Sequence, residues 1–456
     1  MSTTRYASVL GLGFGDCGKG HFVDALTRHW QAHTVIRFNG GAQAGHNVVT
    51  RADANSAGRH HTFSQFGSGT FVPGVRTMLL DPMVVHPTAL LVEAGVLGRI
   101  GIHDALSRLM IDAQCRITLP FHQAAGRLRE RLRGAAAHGT CGVGVGETVR
   151  HALEHPGQEL RYADLSETSV STARAQLDRV QAIRETLLAQ FSSQCPQGSA
   201  AAGSEEFQTL QDETMAAKWI MTARALARQC PPASAEAIRS QLLQPGGAVF
   251  EGAQGVLLDE WRGFHPHTTW SSINTTAVNT VAERFGISAP IKHYGVLRTY
   301  LTRHGAGPLP THDESLDALL PEPHNKGDGW QGRFRCGHPD AVLLRYALEA
   351  AGDLSGLLIS HLDVFQRGAS LKWCERYSDG PAHSQVPQFV ERIPLSIGED
   401  LTHQLTLTNL LQSARPQYGS DPIDSARGFV NRIASVTSLP IVLRSYGATC
   451  ADVREM

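Results

Sequence analysis

The stretch Ser8-Val9-Leu10-Gly11-Leu12-Gly13-Phe14-Gly15-Asp16-Cys17-Gly18-Lys19-Gly20-His21-Phe22 constrains the fold more than any other part of the chain. An apolar run enters a loop with glycines at 11, 13, 15, 18 and 20, and a helical pattern begins as they end. Strand, glycine loop and helix N-terminus in that order form a cradle in which backbone N–H groups and the helix dipole converge on an anion. Residues Gly13 to Lys19 fit G-x-x-x-x-G-K, the phosphate loop, but Gly20 stands where a Ser or Thr hydroxyl normally holds Mg²⁺. Asp16 offers a carboxylate within the loop instead, as metal ligand or as base. The plainer alternative is a tight turn that needs glycine only for positive φ.

Residues 34–38 read as a second strand that delivers another glycine turn, Asn39-Gly40-Gly41-Ala42-Gln43-Ala44-Gly45-His46. With the intervening helix this makes a βαβ unit of about 30 residues, whose two loops emerge at one sheet edge, where open α/β sheets bind ligands. Asp16 and His46 are therefore expected to face one another across a phosphate site, a pair able to share acid and base work; a surface histidine is the alternative. Residues 117–119 read as a short strand, and 121–133, 164–192 and 205–229 as helices. Between them lies Gly139-Thr140-Cys141-Gly142-Val143-Gly144-Val145-Gly146, a second backbone cradle or a mobile loop. Residues 192–204 suit a flexible insert.

In the second half, residues 248–259 and 294–302 read as strands, the first carrying Gln254 between two glycines and the second leading to Arg303. A polar loop at 268–276 includes Thr269. Arg333 and Arg335, at i and i+2 in the polar loop 325–340, would point to one side if extended, as an anion clamp or as a solvated pair. The strand at 357–364 ends near Asp363, which can accept two N–H bonds from a guanine edge or cap a helix. Residues 440–443 form the expected last strand, opening onto Arg444-Ser445-Tyr446-Gly447.

Composition narrows the function classes. Among 456 residues, 41 Lys and Arg balance 42 Asp and Glu, so no polybasic surface for nucleic acid is expected. Apolar runs fall short of a membrane span, and the N-terminal residues run into the first strand with no signal-peptide core. The eight cysteines form no C-x-x-C pair, and His60-His61 and His265-Pro266-His267 lack helical zinc spacing. A reduced cytoplasmic enzyme without zinc or disulfides is expected. Cys17, Cys141 and Cys336 are either reactive or small loop fillers.

The ordered loops resemble those of the adenylosuccinate synthetase family. G-F-G-D-C-G-K-G is similar to its W-G-D-E-G-K-G, and N-G-G-A-Q-A-G-H to its Q-G-G-x-N-A-G-H. E-G-A-Q-G-V-L-L-D, G-V-L-R-T-Y-L-T-R-H-G-A-G-P-L-P-T and H-L-D-V resemble its later signatures in the same order. The resemblance implies a single α/β domain over 1–456, with a large, mostly parallel central sheet, helices on both faces, inserted helical subdomains and a P-loop-like GTP site. It implies GTP-dependent joining of L-aspartate to a 6-oxopurine nucleotide, inosine monophosphate or a related acceptor, through a 6-phosphoryl intermediate. A non-inosine acceptor and a non-catalytic nucleotide-binding paralogue remain the alternatives. Asp16 and Gly45 would hold Mg²⁺, Asp16 would take the N1 proton, His46 and Lys19 would serve the γ-phosphate, and Gln254 would steady O6. Gly13, Gly15, Gly18, Lys19, Gly20, Asp363, His361, Ser445 and Gly447 would bind GTP. Gln43, Thr140, Cys141, Gln254, Thr269, Arg303, Arg333 and Arg335 would bind acceptor and aspartate. A homodimer is expected. The departures from the family pattern fall mostly on the acceptor side: Gln43 for Asn, and a loop at 139–147 without its arginine. Cys17 for Glu and His361 for Lys are others.

Overall fold

A computed structural model describes residues 5–52, 58–166, 169–320, 322, 325, 329–378, 389–396 and 398–455. Its centre is a ten-stranded sheet. In chain order the strands are β1 (Arg5–Gly11), β2 (Ala32–Arg37), β3 (Arg76–Leu79), β4 (Leu109–Asp112), β5 (Pro232–Ala233), β6 (Gly247–Gly255), β7 (Ile291–Arg298), β8 (Gly356–Ser360), β9 (Ile441–Ser445) and β10 (Val453–Glu455). Their order across the sheet is β10-β9-β8-β7-β1-β6-β2-β3-β4-β5. Every pairing is parallel except β9 with β10, where Leu443 lies opposite Glu455.

The central strands read as near-continuous apolar runs because both of their faces are covered. Successive residues supply opposite cores. Val9, Val35 and Val249 pack with Phe22, Val23 and Leu26 of α1 (Lys19–His29). Leu10, Ile36 and Phe250 pack on the other face with Val278 and Val281 of the helix Thr275–Arg284. A separate helical layer is built on Pro120–Arg133, Val170–Ser192, Glu205–Gln211 and Met215–Gln229.

Several expectations are corrected. The helix expected over 205–229 is two, divided where the Asp212 carboxylate accepts from the backbone and hydroxyl of Thr214. The helix expected from 164 begins at Val170, after a short 3₁₀ turn at Tyr162–Leu165. Residues 117–119 are not a strand: Ile117 makes only an isolated bridge to Val85, because Pro120 opens a helix immediately after them. The sheet strand is Leu109–Asp112. The run 294–302 breaks after Arg298, and Leu301–His304 leaves the sheet to pair with Phe334–Gly337, within what was expected to be loop. The last strand is β10, not 440–443. Residues 193–204, within the segment 192–204 read above as an insert, form turns, with Cys195 buried and Ala201 and Ala202 packed on the helical layer.

Candidate active site

A cleft of about 830 Å³ opens beyond the C-terminal ends of the parallel strands, the position expected for a ligand in this topology. The 12–18 loop follows β1, the 38–46 turn follows β2, Gln254 closes β6, and His361 follows β8. Of the residues predicted from sequence, all line the cleft except Gly13, Arg333 and Arg335. Gly13 lies behind the loop: a Cβ on Gly255 would fall 2.0 Å from its carbonyl oxygen, so β6 presses directly on the loop's back.

The loop enters α1 through Gly18, whose φ of 91° and contact with Ser360 leave no room for a side chain. Lys19 Nζ donates to the Gly15 carbonyl at 3.0 Å, folding the ammonium over the loop. The absent hydroxyl at 20 has a packing cause. A Cβ there would lie 2.8 Å from His46 Cβ and 2.9 Å from Ser68 Oγ, so α1 and the 38–46 turn approach too closely for any residue but glycine.

Asp16 and His46 both line the cleft, but each has its own partner. The Asp16 carboxylate lies 3.5 Å from His304 Nε2, and Arg298 donates to the Asp16 carbonyl at 2.9 Å. Burial alone would raise the Asp16 pKa, but His304, Arg298 and Lys19 outweigh it and hold the carboxyl below its usual range. Burial likewise opposes the imidazolium of His304, and Asp16 outweighs it, raising the pKa. His46 Nδ1 lies 2.5 Å from Glu251 Oε1, and its Nε2 lies 3.0 Å from the Ala253 carbonyl. Burial outweighs Glu251 and lowers the His46 pKa. Both ring nitrogens face acceptors, a geometry fully satisfied only when both carry protons. Glu251 also accepts from the Ser68 amide at 2.9 Å and from the Ser68 hydroxyl. Burial would raise its pKa, but His46, Arg37 and Ser68 bring it down to about 2.

Two amides flank the Gly40–Gly41 turn. Gln254 is buried, and among the described residues neither its Oε1 nor its Nε2 has a partner; the two amide ends of Gln43 are likewise unpartnered. Unpaired buried amides are costly, so these side chains are poised for a ligand with both a donor and an acceptor.

On one wall, Ser360 Oγ donates to the Cys17 carbonyl at 2.7 Å and accepts from His361 Nδ1 at 2.8 Å. His361 sits in left-handed backbone with φ 62°, and burial and nearby cations keep it neutral. Asp363 pairs with Arg367 at 3.1 Å. Ser445 Oγ donates to Gly447 and accepts from His21 Nε2 at 2.9 Å, tying β9 to α1.

On the facing wall are Thr140, Cys141, Thr269 and Arg303. Arg303 is 2% exposed, stacks over Phe14 at 4.0 Å and donates to the carbonyls of Pro308 and His267. No carboxylate pairs with it among the described residues, and burial with Arg335 nearby depresses its pKa. Cys141 accepts from Gln331 at 2.8 Å, and burial pushes its thiol up to about 11, a filler rather than a nucleophile. Arg333 and Arg335 do not converge on the cleft. Arg335 lies opposite Arg303 in the hairpin, whereas Arg333, beyond its end and 61% exposed, pairs with Asp317 at 2.8 Å and Glu314 at 3.3 Å.

Sequence reasoning missed Glu251, His304, Glu130 and Trp330. Glu251 had a signal, a lone carboxylate in the apolar run Ala248-Val249-Phe250. Glu130 Oε2 accepts from the backbone N–H of Gly139 at 2.9 Å and of Thr140 at 3.5 Å. Trp330 packs on Gly142 and lies under the guanidinium groups of Arg131 at 5.0 Å and Arg127 at 5.5 Å.

The sequence model of the family described as adenylosuccinate synthetase matches residues 8–453. Adenylosuccinate synthetase of Nitrosospira multiformis is 34% identical over 452 residues, 98% of this chain and 94% of that protein. The Myxococcus xanthus protein of the same name is 31% identical, with 96% of each chain covered. A solved structure of fully ligated adenylosuccinate synthetase from Plasmodium falciparum superposes with a TM-score of 0.75 at 18% identity, covering 99% of this chain and 100% of that one. The succinoaminodeoxyadenylate synthetase of cyanophage S-2L, bound to dGMP and dATP as energy donor, superposes with a TM-score of 0.60 at 13% identity, covering 99% and 95%.

Proposed function

The chain belongs to the adenylosuccinate synthetase family, GTP-dependent ligases that join aspartate to a purine nucleotide, and from that premise we propose how its own residues divide the work. Asp16 takes the N1 proton of a 6-oxopurine, so that O6 becomes a nucleophile toward the γ-phosphate of GTP. The 12–20 loop and Lys19 hold the phosphates, since phosphoryl transfer depends on positioning and charge stabilisation. His46, oriented through Nδ1 by Glu251, turns its Nε2–H from the Ala253 carbonyl toward the transferring phosphoryl oxygens. The amino group of aspartate then displaces phosphate at C6, with Arg303 as the cation that receives a substrate carboxylate.

The observation that carries this reading is Gln254, buried at the end of β6 with both amide ends unpaired. A 6-oxopurine presents O6 to accept from Nε2, beside the N1–H that Asp16 takes. Asp363 and His361 on the opposite wall are assigned to the guanine of GTP. Arg333 and Arg335 are assigned to aspartate only after rearrangement, since Arg333 is now paired elsewhere.

The donor set fits Mg²⁺. Asp16 is kept ionised and Gly45 lines the same cleft, giving hard oxygen ligands. No group of three or more His, Cys, Asp or Glu among the described residues could hold a metal alone, as suits a cation that draws its other ligands from phosphates and water. When bound, Mg²⁺ neutralises charge on the transferring group. A homodimer and a cytoplasmic setting complete the proposal.

Purified protein incubated with GTP, Mg²⁺, L-aspartate and inosine monophosphate is expected to release phosphate only when all four are present. Release that ignores aspartate, or no release at all, refutes the reading.

A further inference from the structure

Arg37 is the last residue of β2, its side chain is completely buried, and none of the catalytic steps uses it. A charge held out of water is costly unless it meets a partner. One donor is spent: Nη1 donates to the Phe66 carbonyl at 3.2 Å. Nε and Nη2 have no hydrogen-bond partner among the described residues. The register of the sheet sets Arg37 directly beside Glu251 of β6. Val35 and Val249, two residues earlier on each strand, pack in the core against α1, so Arg37 and Glu251 stand on that same face. The segment 66–69 lies against it, since a Cβ on Gly67 or Gly69 would fall 2.7 or 2.8 Å from Val35. Arg37 thus grips this segment at Phe66, and Glu251 grips it at the Ser68 amide and hydroxyl. Burial would raise the Glu251 pKa, and after His46 it is Arg37 that most offsets the burial.

We propose that Arg37 is a positioning residue for phosphoryl transfer, acting on His46 through Glu251. This role rests on the reading above, in which Glu251 orients His46 toward the transferring group. Arg37 acts in two ways. Its bond to Phe66 fixes the segment from which Ser68 donates, and its charge favours the carboxylate toward which His46 Nδ1 is turned. Without the guanidinium, the Ser68 donors and the carboxylate are free to shift. The imidazole then loses its aim while the phosphate loop and the purine pocket keep their contacts.

Phosphate release with GTP, Mg²⁺, L-aspartate and inosine monophosphate tests this through a double-mutant cycle. Arg37→Met is expected to lower kcat about ten- to hundredfold, with KM for GTP and for inosine monophosphate within about threefold of wild type. Arg37→Lys keeps the charge and a donor and is expected to recover most of the loss. In a Glu251→Gln background, Arg37→Met is expected to change kcat less than about twofold, because the carboxylate it steadies is gone. Full additivity overturns the proposal, as does an unchanged kcat in Arg37→Met or Glu251→Gln, or an equal loss in the Met and Lys variants. If turnover of Glu251→Gln falls below detection, the contrast between Met and Lys decides. If Arg37→Met does not fold, Arg37→Gln replaces it, and failure of both to fold makes Arg37 a structural residue only and overturns the proposal. No release by the wild type removes this proposal together with the functional reading, whereas wild-type release with additive variants overturns this proposal alone.

Discussion

Asp16 is held between His304 and the cationic side chains of Arg298 and Lys19, so an amide in its place keeps the shape and loses the carboxylate proposed as base. Asp16→Asn is expected to lower kcat by about 10²–10⁴-fold while GTP affinity measured by titration stays within a factor of a few. Near-normal turnover would remove Asp16 from the role of base. Asp363→Asn replaces an acceptor of two N–H groups with an amide that also donates. Its expected effect is a loss of about ten- to hundredfold in preference for GTP over ATP, read from competition titrations. Legibility in the sequence followed the chemistry of each residue. Asp16, Lys19, His46 and Gln254 stand in glycine-flanked loops, where a polar side chain has few structural duties. Glu251 and His304 were missed because their significance lies in partners 205 and 288 residues away, which no local pattern encodes.

At the level of elements, the contact between α1 and the 38–46 turn explains a glycine that the loop pattern left puzzling. Gly20→Ser inserts a Cβ within 2.8 Å of His46 and 2.9 Å of Ser68. Overpacking of this kind costs about 1–3 kcal/mol, and thermal unfolding is expected to show that loss together with a fall in kcat from displacement of His46. Restored metal binding without loss of stability would contradict the packing account. The parallel strands and glycine turns were legible because buried strands are continuously apolar and glycine marks tight turns. Boundaries in the second half were not: the departure of Leu301–His304 from the sheet depends on its pairing with Phe334–Gly337, some thirty residues later. The same hairpin register left Arg333 outside the clamp that i, i+2 spacing suggested.

Across the whole molecule, Glu251 links three separate pieces: β6, the 38–46 turn through His46, and the 64–68 segment through Ser68. Its carboxyl is lowered from 4.5 to about 2 in the folded state, so it adds stability above pH 4.5 that is progressively lost as the pH falls toward 2. Denaturant titrations between pH 7 and pH 3 are expected to show Glu251→Gln with a lower plateau and a shallower decline through that window than the wild type. An identical decline in both would place the acid sensitivity elsewhere. The position of β6 has a temporal consequence too. Both neighbours of β1, namely β6 and β7, come from residues beyond 246. A chain emerging from the ribosome must therefore carry β1 unpaired through more than half of its synthesis, an exposed apolar edge of the kind that invites aggregation. The phosphate cradle, though encoded in the first twenty residues, is among the last parts of the sheet that can close, and a nascent chain halted before β6 has no nucleotide site to stabilise it.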